Sequence, residues 1–153
     1  MLFLLMQLDG DRYALDIRQV AEVLPLVNLR SVPGAPAGVA GMINYGGTPV
    51  PVVDLSQLLA SRAAHRRLNT RIVLVHYATV AGRHHLLGLI AERATETMRC
   101  DPTEFHASGV TQASPPHFGP VVLDATGAVH WIDVNRLLPD SLCLSLFQQS
   151  APT

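Results

Sequence analysis

The sequence predicts an all-β barrel architecture with few helices. Short apolar runs alternate with turns rich in glycine, proline and aspartate, which is typical of many short strands. Residues 52–59 (VVDLSQLL) resemble residues 131–138 (WIDVNRLL), so the chain is predicted to contain two lobes of similar design. Its 153 residues suit one domain, or two small lobes sharing one core, and a hydrophobic content of 48% excludes ordinary disorder.

The first half of the chain begins with a hairpin, because Asp9-Gly10-Asp11 is a strong turn signal between two apolar runs. Residues near Gln19–Leu24 are predicted to form a short helical segment. The extended segments are Leu2–Leu8, Arg12–Ile17, Leu26–Val32 (before the loop at Pro33), Val39–Tyr45 and Thr48–Val53, the last two joined by a Gly46-Gly47 turn. Pro49 and Pro51 remove two backbone donors from one side of the last strand, which predicts a sheet edge or a bulge there.

The second half is predicted from helix caps and further strand patterns. Asp54 is expected to cap a short helix, with Gln57 completing a capping-box pattern. Asp101 and Pro102 mark a second helix start, and Asp133 a third that continues to Leu138. The remaining predicted elements are strands at Thr70–Ala78, His84–Ala91, Phe118–Asp124 and Ala128–Ile132, an extended segment at Thr95–Cys100, a loop at Ala107–Pro120 and a terminal helix at Ser141–Gln149.

Composition favours a protein-binding module over a nucleic-acid-binding protein. Charged residues are only 15% of the chain, so aliphatic area should remain exposed unless partners cover it. A net charge of −1 gives no electrostatic footprint for nucleic acid. The short basic cluster that runs from Arg62 to Arg71 is interpreted as a solvated linker.

Localisation is predicted from the cysteines and the first residues. Cys100 and Cys143 lack a CxxC spacing, which favours free thiols in a reducing cytoplasm. The apolar start MLFLLMQL is too short for a signal peptide or a membrane span and is expected to be a buried strand.

No motif for catalysis, metal binding or cofactor binding is recognisable. The seven histidines form no metal-ligand spacing, and His84 and His85 should point to opposite faces of a strand. Asp54 and Asp133 are better explained as helix caps than as an acid–base pair. The serines lack a nucleophile elbow, and residues 41–47 match no phosphate loop. We therefore predict no catalytic, metal or cofactor residues.

The order of several motifs resembles the CheW-like adaptors of bacterial chemosensory systems. The resemblance covers nearly the whole chain, and its closest match is Pro49–Leu55 (PVPVVDL). Other matching pieces are Tyr13–Ile17, Val20–Leu24, Val32–Pro36, Val39–Asn44, Leu87–Ile90 and Ile132–Val134.

This resemblance implies two five-stranded, SH3- or OB-like barrel lobes around a shared core, forming one intertwined domain over residues 1–153. It also implies a non-catalytic scaffold that docks the regulatory domain of a CheA-type histidine kinase and the cytoplasmic tip of a methyl-accepting chemoreceptor. Such a protein is cytoplasmic, is recruited to membrane-associated receptor arrays, and neither inserts into the membrane nor binds nucleic acid.

The chain departs from the family at Gly46, where the usual Asn-Leu-Arg-Gly motif carries an arginine. The resemblance implies that this arginine pairs with the glutamate matched by Glu22, so Glu22 must be solvated or have another partner. Tyr45 adds an amphipathic contact residue at the same turn. The predicted partner-binding residues are Val20, Glu22, Gly41, Asn44, Tyr45 and Gly46; for Val20 and Gly41, core packing and turn geometry explain the residue equally well.

Two alternatives remain open at the level of sequence. An OB-like barrel could bind an oligonucleotide or a sugar, although such a face should present aromatic and basic side chains. An enzyme with an unrecognised site would require a pocket in which polar groups converge.

Overall fold

A computed structural model describes residues 1–78, 82, 84–106, 118–124 and 127–138. The predicted terminal helix at 141–149, Cys143 and most of the predicted 107–120 loop lie outside this part of the chain. The strands are β1 (Leu2–Leu8), β2 (Asp11–Asp16), β3 (Val20–Pro25), β4 (Val39–Tyr45), β5 (Thr48–Asp54), β6 (Arg71–Ala78), β7 (His84–Ala91), β8 (Glu96–Arg99), β9 (Phe118–Asp124) and β10 (Gly127–Ile132). The described residues contain one α-helix, α1 (Leu55–Ala60), and 3-10 turns at Ile17–Gln19, Pro102–Glu104 and Val134–Arg136.

The strands form two five-stranded sheets, which confirms the predicted all-β fold with two lobes. The strand order is β8-β1-β2-β10-β9 in the first sheet and β3-β6-β7-β5-β4 in the second. Pairing is antiparallel except for β2 with β10 and β5 with β7. Both orders are linear, so each lobe is an open sheet with two edge strands rather than a closed barrel. The chain leaves the first sheet after β2 and returns to it at β8.

The largest buried cluster joins the two sheets. It contains Leu4 and Leu15 from the first sheet, Val73 and Leu89 from the second, and Ile132 at the end of β10. Each sheet also has a smaller core of its own, one built around Ile72 and Leu74 and the other around Phe3 and Phe105. The hydrophobic effect, acting on large aliphatic side chains from both sheets, is the main force that holds the lobes together.

The two similar sequence segments adopt the same local structure. Asp54 (φ −91°, ψ 110°) and Asp133 (φ −92°, ψ 111°) are both N-caps. Asp54 is the last residue of β5 and Asp133 directly follows β10, and each of these strands belongs to a parallel pair. The side chain of each accepts a backbone N–H from the residue two positions on. The predicted capping aspartates are therefore present, although the segment after Asp133 is a three-residue 3-10 turn and not a helix to Leu138.

The prediction of a helical segment at Gln19–Leu24 is wrong. Only Ile17–Gln19 form a 3-10 turn, and β3 pairs with β6 from Val20↔Val75 to Pro25↔Arg71. A register shift between Val20 and Glu22 inserts an extra residue into the strand. As a result, the partly buried residues recur with the i, i+3, i+4 spacing typical of a helix.

Two other segments differ in detail from the prediction. The segment at Leu26–Val32 contains no strand, and its ordered contact is a bridge between Arg30 and Met42 in β4. Strand β5, which carries Pro49 and Pro51, lies inside its sheet, but its pairing with β7 begins only at Val52. The prolines therefore lie in the half of β5 that pairs with β4 alone. No hydrogen bond between strands is lost there because of the missing N–H groups.

Candidate partner-binding surface

The β4–β5 turn is fixed by two glycines and an asparagine. Gly46 (φ 59°) and Gly47 (φ 90°) both have positive φ, as a two-residue type I′ hairpin requires. The Gly47 N–H donates to Asn44 Oδ1 at 2.9 Å, and Tyr45 pairs with Thr48 across the turn. Asn44 thus stabilises the turn through its side chain, and it is exposed to solvent.

The Tyr45 side chain extends from this turn toward β3, the strand at the other edge of the second sheet. Its hydroxyl donates to Glu22 Oε2 at 2.5 Å, which joins β4 to β3, the two edge strands of the second sheet. The hydrogen bond to the Glu22 carboxylate raises the pKa of the Tyr45 phenol above its ordinary value. The contact therefore closes one end of an otherwise open sheet through side chains, not through backbone pairing.

We call Glu22, Asn44, Tyr45 and Gly46 the Tyr45 surface. Glu22, Asn44 and Gly46 are exposed, and Tyr45 is partly exposed. A Cβ added to Gly46 would meet no heavy atom within 4 Å, so the turn projects into open space. The phenol here donates directly to the Glu22 carboxylate, so the bond is charge-assisted.

Val20 and Gly41, the other two predicted residues, have structural explanations. Val20 is partly buried and packs against the large shared core. Gly41 is buried with φ +151°, and a Cβ there would lie 2.6 Å from the Arg30 carbonyl oxygen and 2.9 Å from Leu29 Cβ. Close approach of the 26–32 segment to β4 therefore requires glycine at position 41. Partner binding is therefore not needed to explain why valine and glycine occupy these two positions.

Glu22 and Tyr45 are both predicted partner-binding residues, but no pattern in the sequence predicts that they bond to each other. The two residues are 23 positions apart in the sequence. The incorrect prediction of a helix at Gln19–Leu24 also means that the pairing of β3 within the second sheet is not predicted. One usable signal is the position of Tyr45 next to Gly46, where the resemblance described above implies an arginine. A hydroxyl one residue away can replace the lost donor if the strand geometry points it toward Glu22.

The two capping aspartates bind backbone groups rather than each other. Asp54 accepts from the N–H groups of Ser56, Gln57 and Ala64 at 3.0, 3.4 and 2.9 Å. Its carboxylate therefore fixes both the start of α1 and the loop that follows the helix. This set of bonds gives Asp54 a structural role that explains its carboxylate without general acid–base work.

Two aromatic side chains of the first sheet pack against each other and against Phe105, which follows the 3-10 turn at Pro102–Glu104. The ring centroids of Phe3, Phe105 and Trp131 lie 5.0 to 5.3 Å apart, and Phe3 and Phe105 are buried. A base-stacking platform needs exposed aromatic faces. In the described residues these three rings are used to build a core.

Neither a metal centre nor a membrane-spanning helix is found in the described residues. No three His, Cys, Asp or Glu side chains in that part of the chain are grouped so that they could share a metal ion. No helix among the same residues has the length and apolar character needed to cross a membrane.

Comparison with known proteins connects this fold to one family. The profile of the CheW-like domain matches residues 2–142. The chain is 24% identical over 132 residues to the chemotaxis protein CheW of Bacillus subtilis (strain 168), covering 85% of this chain and 81% of that protein. The crystal structure of the scaffolding protein TtCheW from Thermoanaerobacter tengcongensis superposes with a TM-score of 0.79 at 22% identity, covering 92% of this chain and 89% of the other. The chain belongs to the CheW-like domain family.

Proposed function

We propose that this protein is a non-catalytic adaptor that couples methyl-accepting chemoreceptors to a CheA-type histidine kinase. The observation that carries the proposal is the family match, which extends over residues 2–142 and so includes both sheets. The name of the Bacillus protein places that relative in chemotaxis, and the Thermoanaerobacter protein is described as a scaffold. The adaptor acts in the cytoplasm and is recruited to membrane-associated receptor arrays.

The finer part of the proposal assigns a partner to the Tyr45 surface. This surface binds the cytoplasmic tip of the receptor, and one lobe docks the regulatory domain of the kinase. The Glu22–Tyr45 bond holds β3 and β4 in a fixed relation, so a receptor helix meets a preorganised surface and less ordering entropy is lost on binding. Glu22 retains carboxylate acceptor capacity for a donor on the receptor.

Pairwise binding tests the partners. We expect the protein to bind both the kinase regulatory domain and a receptor tip fragment at micromolar concentrations in isothermal titration. Absence of binding to both partners would refute the adaptor proposal. Binding to the kinase alone would retain the scaffold and remove the receptor assignment.

Conservative variants test the Tyr45 surface. Tyr45→Phe and Glu22→Gln each weaken the hydrogen bond between Tyr45 and Glu22. We expect receptor binding to fall by about threefold to tenfold, because an exposed hydrogen bond contributes only modestly to the free energy of binding. Glu96→Gln is the matched control, since Glu96 is exposed on β8 of the other sheet. Equal effects of Glu22→Gln and Glu96→Gln on receptor binding would exclude this surface.

Gly46 is proposed to tune receptor choice. Gly46→Arg restores the family side chain at a turn with open space around it, and we expect it to change the preference among receptor tips. The left-handed φ of 59° costs arginine about 1 kcal/mol of folding stability, which the fold can tolerate. Unchanged affinity for every receptor tip tested would remove the argument for specialisation.

The alternative of an OB-like barrel that binds nucleic acid is not favoured. The chain has a net charge of −1, whereas single-strand binding faces combine basic grooves with exposed aromatic side chains. A salt-dependent binding assay with single-stranded oligonucleotides is expected to show no saturable binding.

A further inference from the structure

The basic segment between α1 and β6 is exposed, yet it is held in a defined shape. The Ala64 N–H donates to Asp54 Oδ2 at 2.9 Å. The Thr70 hydroxyl, in a residue only 1% exposed, donates to the His65 carbonyl at 2.5 Å and accepts from the Arg67 N–H at 3.2 Å. These bonds tie both ends of the loop to the folded protein. Its exposed side chains are therefore presented from a preorganised backbone and not from a mobile linker.

The acidic groups beside this segment are already paired. Arg62 Nη2 lies 2.8 Å from Asp9 Oδ1 and 3.0 Å from Glu92 Oε2, so one guanidinium engages both carboxylates. Arg67 and Arg93 line the same shallow pocket as these three residues. Within the described residues, neither Arg67 nor Arg93 has an ion-pair partner. The pocket therefore has a local excess of positive charge, although the whole chain is slightly acidic.

An exposed apolar residue directly follows one of these arginines in the chain. Leu68 is 99% exposed, the largest exposure among the exposed large hydrophobic side chains of the described residues, and it follows Arg67 directly. A single exposed leucine does not by itself indicate a binding site. Here it is carried on a fixed loop and directly follows Arg67, which lines the pocket together with Arg93. The Arg93 guanidinium donates to Gln7 Oε1 at 3.3 Å and keeps further N–H donors. A small inorganic anion would leave Leu68 in water, whereas a peptide with acidic and apolar side chains would cover both features.

We propose that Arg67, Leu68 and Arg93, with Arg62 as their support, form a docking surface for an acidic protein segment that carries an apolar side chain. Guanidinium groups suit carboxylates because their planar fork can donate two hydrogen bonds at once. The loop is already ordered, so binding avoids part of the usual entropy loss. This surface shares no residue with the Tyr45 surface, and the inference goes beyond the adaptor function proposed above.

Fluorescence anisotropy with a labelled acidic peptide, Glu-Leu-Glu-Glu-Leu-Glu, tests this surface in the full chain. We expect saturable binding at low salt that weakens several-fold at about 150 mM salt, because screening reduces the attraction between exposed charges. Arg67→Glu should weaken binding by about fivefold to tenfold through charge reversal. Leu68→Ser should weaken it by about threefold through lost apolar contact. Circular dichroism confirms that each variant is folded.

Arg99→Glu is the matched control, because Arg99 is exposed on β8 and pairs with Leu2 at the far end of β1 from Asp9. We expect less than about a twofold effect from it. Equal losses for Arg67→Glu and Arg99→Glu would show attraction by net charge alone and overturn the proposal. So would absence of peptide binding up to millimolar concentration. Arg67-dependent binding to phosphatidylglycerol vesicles without peptide binding would assign the surface to a membrane and also overturn it. None of these readouts uses the kinase or the receptor, so failure here leaves the adaptor proposal intact.

Discussion

Replacing Gly41 with alanine should destabilise the fold far more than the same change at Gly46. At position 41 the new Cβ would lie 2.6 Å from the Arg30 carbonyl oxygen, so the backbone must separate. That movement disrupts two hydrogen bonds between Arg30 and Met42, at 3.0 and 2.8 Å, which contribute about 1 kcal/mol each. The unfavourable φ of +151° adds about 1 kcal/mol. We expect a loss of about 3 kcal/mol in the free energy of unfolding.

Gly46→Ala is the matched control for that change. Its φ of 59° is also positive, but a Cβ there contacts nothing within 4 Å. The expected loss is about 1 kcal/mol, from backbone strain alone. Urea denaturation followed by the fluorescence of Trp131 measures both variants. Equal losses would refute the argument that the contact with Arg30 dictates glycine. Loss of partner binding by Gly41→Ala at unchanged stability would make Gly41 a contact residue instead.

Two further predictions concern the capping aspartates Asp54 and Asp133 and the ion pair between Asp9 and Arg62. Asp54→Ala should lower the free energy of unfolding by about 2 kcal/mol, since it removes a helix cap and the acceptor for Ala64. Asp133→Ala removes the cap bond to the Asn135 N–H and should lower the free energy of unfolding by about 1 kcal/mol. A urea midpoint for Asp133→Ala below that of Asp54→Ala would contradict this ranking. The hydrogen bond from Arg62 holds the pKa of Asp9 below its ordinary value, so this pair stabilises the fold at neutral pH and the contribution is lost as pH falls through the lowered pKa. Urea midpoints should therefore show a larger penalty for Arg62→Ala at neutral pH than in strong acid, below the pKa of Asp9, and a larger penalty in acid would contradict this expectation.

Local signals in the sequence predicted the hairpins and the caps. The Asp9-Gly10-Asp11 turn and the capping residues Asp54 and Asp101 depend on side chains within a few residues of each other, and the structure contains the turn and both caps. The capping box predicted between Asp54 and Gln57 is not formed, because the Asp54 N–H donates to the Gly38 carbonyl instead. At Asp101 the full capping box with Glu104 is formed. Such features are readable because the chemistry of a turn or cap is contained in a few consecutive residues.

Features that depend on distant contacts were not predictable in the same way. The bulge in β3 gave Val20 and Val23 a helical spacing, and only pairing with β6 reveals the strand. The bond between Tyr45 and Glu22 depends on how the second sheet curves, which no local pattern encodes. The basic segment near Arg67 has the composition of a solvated linker, because the contacts that fix it come from the Asp54 carboxylate outside the segment and from the uncharged Thr70 at its end.

Coupling is the central claim, and a three-component sedimentation experiment tests it most directly. Vesicles carrying receptor cytoplasmic fragments are mixed with the CheA-type kinase, with and without this protein, and the kinase in the pellet is measured. We predict that the kinase sediments strongly with the receptor only when the protein is present, and that Tyr45→Phe reduces this fraction. Equal sedimentation of the kinase with and without the protein would contradict the account.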